Sequence, residues 1–90
     1  MRTTTPEIIV YTQHNCGACK FVERAIDAAG LSATYRDVRE DADAADMLVQ
    51  LIATHRPGEH PRTPVAVVDG TPYFGTAVRD HLRHRRSAAA

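Results

Sequence analysis

Short apolar runs separated by polar turns form the main pattern along this chain. The first run, at residues 8–11 (IIVY), is continuous and predicts a short strand that is buried on both faces. Over residues 16–29 apolar side chains recur at helical spacing instead, which predicts an amphipathic helix. Asn15 is a suitable N-cap for this helix, and Gly30 stands where a glycine commonly ends one.

The second half of the chain continues this alternation and closes with a hairpin. The Asp69-Gly70 pair between two apolar runs is a strong signal for a two-residue turn. Prolines and a glycine mark a loop ahead of that hairpin. The remaining expected elements are a strand within 31–38, a helix over 42–53, a loop over 54–63, strands at 65–68 and 71–74, and a helix from 76 to about 84.

The element order βαβαββα predicts an α/β fold with a mixed four-stranded sheet and helices on both faces. The first βαβ unit should pair its strands in parallel, and the final hairpin should be antiparallel. We also expect the first and third strands to be parallel neighbours. The length of 90 residues predicts a single domain over 1–90, with residues 85–90 as a flexible tail.

Composition and charge narrow the classes of function. Hydrophobic residues make up 43% of the chain and charged residues 24%, as in ordinary soluble proteins. The formal net charge is zero, which argues against nucleic acid as the main partner. No apolar run is long enough to cross a bilayer, and the N-terminus lacks the apolar stretch of a secretion signal. These features predict a cytoplasmic protein without a membrane partner.

One cluster of like charge lies near the C-terminus. It consists of four arginines on and just after the expected last helix, Arg79, Arg83, Arg85 and Arg86. Cations are favoured at the C-terminal end of a helix, so the simplest interpretation is that they stabilise that end. The alternative is a docking patch for an acidic partner.

The chain has only two cysteines, Cys16 and Cys19, at the start of the first expected helix. A disulfide between them closes a very small loop, so it should stabilise the fold little. A C-x-x-C motif within a βαβ pattern indicates redox chemistry. We therefore predict Cys16, at the open start of the helix, as the attacking thiol, and Cys19, one turn further in and less exposed, as the resolving thiol.

The surroundings of Cys16 should favour its thiolate, the reactive form. The amides of Ala18 and Cys19, unpaired at the start of the helix, are expected to donate to its sulfur. His14 and Lys20 could add positive charge nearby. Gly17 and Ala18 are small, which should leave the sulfur open to a partner.

Two other interpretations of the cysteines remain. A zinc site would need further ligands, and the available histidines are His55, His60, His81 and His84. The cysteines could also be inert core residues, since free cysteine is often buried. The polar flank His14-Asn15 argues against burial, and we predict no bound metal.

Several segments accompany the cysteine motif: residues 10–12 before Cys16-Gly17-Ala18-Cys19, then Thr63-Pro64-Val65, 67–70 and Gly75. Together these segments resemble the glutaredoxins and NrdH-redoxins, which have the thioredoxin fold. The resemblance implies that Thr63-Pro64 is a cis peptide bond beside the active site and shapes a substrate groove. It implies a substrate-binding set of Thr12, Gln13, His14, Gly17, Ala18, Thr63, Pro64, Val65, Gly75 and Thr76.

The resemblance also bears on the electron donor. Glutathione-using glutaredoxins typically carry a basic residue before the motif, an aromatic within it and an acidic or hydroxyl pair after the last glycine turn. Here the corresponding residues are Gln13, Gly17-Ala18 and Thr76-Ala77, which is closer to the NrdH-redoxins. Those proteins receive electrons from thioredoxin reductase, which draws them from NADPH, and they pass the electrons to a class Ib ribonucleotide reductase.

We therefore expect a monomeric redoxin without a bound cofactor that uses its dithiol to reduce protein disulfides. One alternative is a glutaredoxin that depends on glutathione or another low-molecular-weight thiol. The other is a metal or iron–sulfur binding module that uses Cys16 and Cys19.

Overall fold

The chain alternates strands and helices in the predicted order, and it closes with a hairpin and a helix. The computed structural model describes the backbone of residues 5–89 and the side chains of residues 5–84. Its elements are β1 (Ile8–Thr12), α1 (Gly17–Ala28), β2 (Thr34–Asp37), α2 (Ala42–His55), β3 (Val65–Val68), β4 (Thr71–Phe74) and α3 (Ala77–Ala89).

The four strands form one mixed sheet in the order β2-β1-β3-β4. β1 is parallel to β2, and β3 is antiparallel to β4, as predicted. The expectation of parallel first and third strands is wrong, because β1 and β3 pair in the antiparallel sense. Tyr11 at the end of β1 faces Val65 at the start of β3, and Val65 in turn faces Phe74.

The direction of β3 follows from the path of α2. The helix begins next to the end of β2, where the Asp41 amide donates to the Asp37 carbonyl at 2.9 Å. It ends beside β4, where the Arg56 guanidinium lies 4.9 Å from the Phe74 ring centroid. Both ends of α2 thus lie at the sheet edge where β1 finishes. The chain re-enters the sheet from that edge, so β3 must run against β1.

Two apolar clusters hold the helices against opposite faces of the sheet. On one face, alternate residues of β1 and β3 pack with α1 and α3: Ile8, Val10, Val22, Ile26, Ala66, Val68, Val78 and Leu82. On the other face, the intervening positions pack with α2: Tyr11, Ala44, Leu48, Ile52 and Val65. The period of two along the strands decides which helix each residue meets. Helices on both faces are therefore confirmed.

The first helix begins one residue later than predicted, and its N-cap is Cys16, not Asn15. Asn15 has a positive φ of 57°, so it turns the chain ahead of the helix rather than capping it. Asparagine tolerates this left-handed conformation better than most residues. Gly30, with φ 74°, follows the C-cap Ala29 as expected.

The second helix is capped by Asp41, whose carboxylate accepts a hydrogen bond from the Ala44 amide at 3.1 Å. The Arg36 guanidinium also donates to this carboxylate, at 3.1 Å. These contacts, the Ala44 amide first, hold the pKa of Asp41 below its usual value. α2 ends at His55, slightly beyond the predicted end near residue 53.

The last helix runs to Ala89, so the predicted end near His84 is wrong. The segment from 85 to 89 contains only arginine, serine and alanine, and lacks the glycine or proline that would stop a helix. The flexibility expected of residues 85–90 stays a prediction. The side chains of Arg85 and Arg86 and all of residues 1–4 lie outside the described residues. Within the described chain, none of the helices is long and apolar enough to cross a membrane.

Candidate active site

The predicted site residues gather at the sheet edge where β1 and β2 end and β3 begins. The loop after β1 leads into Cys16 at the start of α1. The segment after β2 supplies acidic side chains, and the segment before β3 supplies Thr63 and Pro64. A single edge therefore brings together residues that are almost 50 positions apart along the chain, such as Cys16 and Thr63.

The two cysteines are joined as a disulfide, with their Cα atoms 5.2 Å apart. Cys16 is partly exposed at the N-cap, whereas Cys19 is only 5% exposed within the first turn. The Cys19 amide donates to the Cys16 sulfur at 3.1 Å. The positions thus match the expectation of an accessible first sulfur and a sheltered second sulfur.

The expected donation from the Ala18 amide is not among the hydrogen bonds of the described residues. A capping side chain reaches the amide of the second or third helical residue, and here the sulfur is placed over the third. Gly17 and Ala18 are both exposed. A Cβ added at Gly17 would meet nothing within 4 Å, so the surface beside Cys16 is open.

The segment before β3 approaches Cys16 from the other side. The Thr63-Pro64 peptide bond is cis, as the family resemblance implies. The Thr63 hydroxyl lies within hydrogen-bonding distance of the Cys16 sulfur, at 3.6 Å, and its carbonyl oxygen is 3.9 Å away. Pro64 is buried, and its carbonyl accepts from the Gly75 amide at 3.0 Å.

The other predicted groove residues occupy different surroundings. Val65 is 1% exposed, so its side chain belongs to the core and only its backbone is at the edge. Gly75 and Thr76 are exposed at the turn into α3. The Thr76 carbonyl accepts from the Arg79 amide at 3.1 Å, which makes it part of the first turn of that helix.

A groove of about 510 Å³ runs past Cys19 and is lined by Thr12, Gln13 and His14 among others. His14 does not simply add positive charge to Cys16, as the sequence had suggested. Its Nε2 atom lies 2.8 Å from the Glu40 carboxylate and 3.3 Å from that of Asp37. The hydrogen bond with Glu40, and next the charge of Asp37, raise the pKa of His14.

Asp37 and Glu40 are site residues that the sequence analysis missed. The register places Asp37 directly opposite Thr12, because β1 and β2 are parallel neighbours. The carboxyl ends of parallel neighbours meet at one edge, so the acidic residues at the end of β2 and just after it could have been placed beside the loop after β1. The signal was present in the predicted βαβ unit.

Metal-binding potential lies in the same groove. In the part of the chain with described side chains, the group able to share one cation is His14, Asp37 and Glu40, whose ligand atoms lie within 4.8 Å of one another. This group includes neither cysteine. Two of the histidines weighed as zinc ligands pack on aromatic rings instead: His55 on Phe74, with centroids 6.1 Å apart, and His81 on Tyr73, at 4.6 Å.

Comparison with known proteins agrees with this arrangement. The glutaredoxin family model matches residues 8–72. The thioredoxin-like protein BC3987 is a similar solved structure, with 25% identity and a TM-score of 0.65 over 86% of this chain and 97% of its own. A mutant of that same protein gives 23% identity and the same TM-score, over 86% and 96% of the two chains.

A larger enzyme shares the fold over part of its length. Maleylacetoacetate isomerase from Anaeromyxobacter dehalogenans 2CP-1, with bound GSH, matches 92% of this chain but only 39% of its own, with 22% identity and a TM-score of 0.58. Among curated proteins, no match is found. The thioredoxin-like fold and the Cys16–Cys19 pair define a thiol–disulfide redoxin. The family match covers most of the chain, and the protein belongs to the glutaredoxin family.

Proposed function

We propose that this protein reduces disulfide bonds in partner proteins, with Cys16 as the nucleophile and Cys19 as the resolving thiol. The observation that carries the proposal is the unequal placement of the two sulfurs. Cys16 caps α1 at the surface and accepts from the Cys19 amide, whereas Cys19 is nearly buried. An amide donor at a helix N-terminus favours the thiolate, which is the attacking species.

The reaction takes two exchanges. The Cys16 thiolate attacks one sulfur of the substrate disulfide, which forms a mixed disulfide and releases the other sulfur as a thiolate that takes up a proton. Cys19 then loses its proton and attacks the Cys16 sulfur, which releases the second substrate thiol. The substrate gains two electrons and two protons, and the Cys16–Cys19 disulfide remains to be reduced by an external donor.

Substitution of each cysteine by serine tests these roles. Cys19→Ser should form a stable mixed disulfide with a protein substrate, because no second thiol can release it. Cys16→Ser should form none and should lose turnover entirely. Non-reducing electrophoresis and mass spectrometry measure the adducts. A trapped adduct on Cys19 in the Cys16→Ser variant would reverse the assignment.

For the electron donor, we propose a thioredoxin reductase that draws on NADPH. Glutathione carries two carboxylates, which need cationic or well-aimed polar groups to hold them. On the α1 side of the site, Gln13 is neutral, and Asp37 and Glu40 surround the His14 imidazole. The Asp37 and Glu40 carboxylates oppose the binding of another anion at that side.

A glutathione-dependent glutaredoxin is the second candidate, and one feature favours it. Arg56 and Arg62 line a pocket of about 230 Å³ together with Phe74 and Gly75, close to the cis-proline segment. Arg56 already pairs with Glu59 at 3.4 Å, which offsets part of its charge. Arg62 therefore offers the stronger attraction for a carboxylate in this pocket.

Two coupled assays distinguish the donors. NADPH oxidation is followed with thioredoxin reductase in one assay, and with glutathione and glutathione reductase in the other. We expect fast turnover in the first assay and slow turnover in the second. If only glutathione supports turnover, and Arg62→Gln reduces that rate more than Arg24→Gln on the outer face of α1, the second candidate replaces the first.

The substrate proposed for this donor is a class Ib ribonucleotide reductase, as for the NrdH-redoxins. We propose that the protein acts as a monomer in the reducing cytoplasm, where its disulfide would be continuously reduced to the dithiol. Ribonucleotide reduction with the purified pair, with NADPH and thioredoxin reductase present, tests the partner directly. If this enzyme is not reduced but other disulfide proteins are, the proposed substrate is wrong and another disulfide protein takes its place.

A further inference from the structure

We propose that the Thr63 hydroxyl is a catalytic group that donates a hydrogen bond to the Cys16 thiolate and stabilises it. The effect of this hydrogen bond on turnover rests on the proposed function. The inference goes beyond a groove-shaping role for Thr63, since it assigns the side chain to the reacting sulfur atom.

The geometry places two donors around this sulfur. The Cys19 amide donates from the helix at 3.1 Å, and the Thr63 Oγ1 lies 3.6 Å away on the cis-proline segment. The two groups approach from different elements, α1 and the segment before β3. A disulfide sulfur is a weak acceptor, whereas a thiolate carries a full charge. Both contacts therefore strengthen when the disulfide is reduced and Cys16 ionises.

The Thr63 backbone acts in the opposite direction. Its carbonyl oxygen is 3.9 Å from the Cys16 sulfur and would accept a hydrogen bond from the protonated thiol. That contact favours the thiol, while the nearer hydroxyl favours the thiolate. Removal of the hydroxyl leaves the carbonyl and the single amide. The pKa of Cys16 should then rise.

The charged groups of the surrounding elements stay constant in this comparison. Lys20 lies on α1 and Arg62 immediately precedes Thr63. His14 precedes Cys16 and is paired with the carboxylates of Glu40 and Asp37. Because none of these groups changes when Thr63 is substituted, a difference in the pKa of Cys16 reports the hydroxyl itself.

Two substitutions separate the hydroxyl from the shape of the side chain. Thr63→Val keeps the β-branched form and removes the donor, and Thr63→Ser keeps the donor and removes a methyl group. Both are made in a Cys19→Ser background, so that the rate of iodoacetamide alkylation against pH reports Cys16 alone. Thr63→Val should raise the pKa of Cys16 by about one unit, which is about 1.4 kcal/mol. Thr63→Ser should keep it near the parent value.

An unchanged pKa in a folded Thr63→Val variant would overturn the proposal, as would an equal rise in both variants. Circular dichroism establishes that each variant is folded, and Thr63→Ala, which also removes the hydroxyl, replaces Thr63→Val in the comparison with Thr63→Ser if Thr63→Val does not fold. In the Cys19-containing protein, Thr63→Val should also slow disulfide reduction several-fold at neutral pH. Alkylation needs no partner, so a parent protein without disulfide reductase activity would refute the proposed function alone.

Discussion

At the scale of single residues, Cys16 is both a structural cap and the proposed nucleophile. Its sulfur accepts a hydrogen bond from the Cys19 amide, as the side-chain oxygen of a serine or aspartate N-cap does in other helices. The same contact lowers the free energy of the thiolate. Asn15, at positive φ, gives the turn that delivers Cys16 to this position. One local arrangement thus serves both the start of α1 and the proposed chemistry.

His14 carries a residue-scale prediction about pH. Its pKa is raised above the usual 6.5 by Glu40 first and then Asp37. A raised pKa in the folded state means that the pairing stabilises the protein fully below pH 6.5 and that this contribution is lost as pH rises through the higher folded value. NMR titration of the His14 ring should show this raised pKa.

The control for His14 uses two acidic neighbours. Glu40→Gln should lower the pKa of His14 towards its usual value, because it removes the partner of the closest contact. Glu23→Gln, in the same groove, should leave it unchanged, since Glu23 is not among the groups that shift His14. A His14 pKa that is insensitive to Glu40→Gln would refute the pairing.

At the scale of elements, α1 positions the site because its buried face is fixed against the sheet and α3. Cys19, Val22 and Ile26 recur along that face at helical spacing and are all buried. Cys19 is therefore the first member of the apolar stripe as well as the proposed resolving thiol. Its burial follows from this spacing, and the exposure of Cys16 follows from its place before the stripe begins.

Ile26 offers an element-scale test of this anchoring. It is fully buried in the cluster that joins α1, α3 and the sheet. Ile26→Ala should lower the free energy of unfolding by about 2–5 kcal/mol, and Ile26→Val by about 0.5–1.5 kcal/mol. Urea denaturation measures both. Met47→Ala, at a position 40% exposed on α2, is the control and should change it little. Equal losses at both sites would contradict the assigned core.

At the scale of the whole molecule, the sheet topology gathers the site. α2 starts beside β2 and ends beside β4, so it returns the chain to the edge from which it left. The antiparallel β3 then begins at this edge with Thr63-Pro64 next to Cys16. The resulting site has acidic groups on the β2 side and Arg56 and Arg62 on the β4 side.

The small disulfide loop leads to a prediction about global stability. Cys16 and Cys19 are three positions apart, and a loop so short removes little entropy from the unfolded chain. Reduction should lower the free energy of unfolding by less than the roughly 3 kcal/mol expected for a 15-residue loop. Urea denaturation with and without dithiothreitol measures the difference. A reduced protein that does not fold would show that the disulfide is a structural bond.

The sequence by itself determined the element order, the packing of helices on both faces of the sheet, and the position of the two cysteines at the start of α1. These properties depend on local periodicity and on turn residues such as Asp69-Gly70, which act over a few positions. It also indicated Thr63-Pro64, through the family resemblance. The predicted end of α3 near His84 is wrong, because the residues that follow favour a helix and include no stop signal.

Only the tertiary structure decided the direction of β3, the pairing of His14 with Glu40 and Asp37, and the approach of Thr63 to the Cys16 sulfur. The direction of β3 and the approach of Thr63 depend on where α2 ends relative to the sheet, which hydrophobic spacing does not encode. The βαβ pattern brings the acidic residues to the edge beside His14, but the pairing itself depends on the directions of the side chains. Hydrogen bonds and ion pairs act over a few ångströms, so distant residues interact only after the apolar faces have fixed the path of the chain.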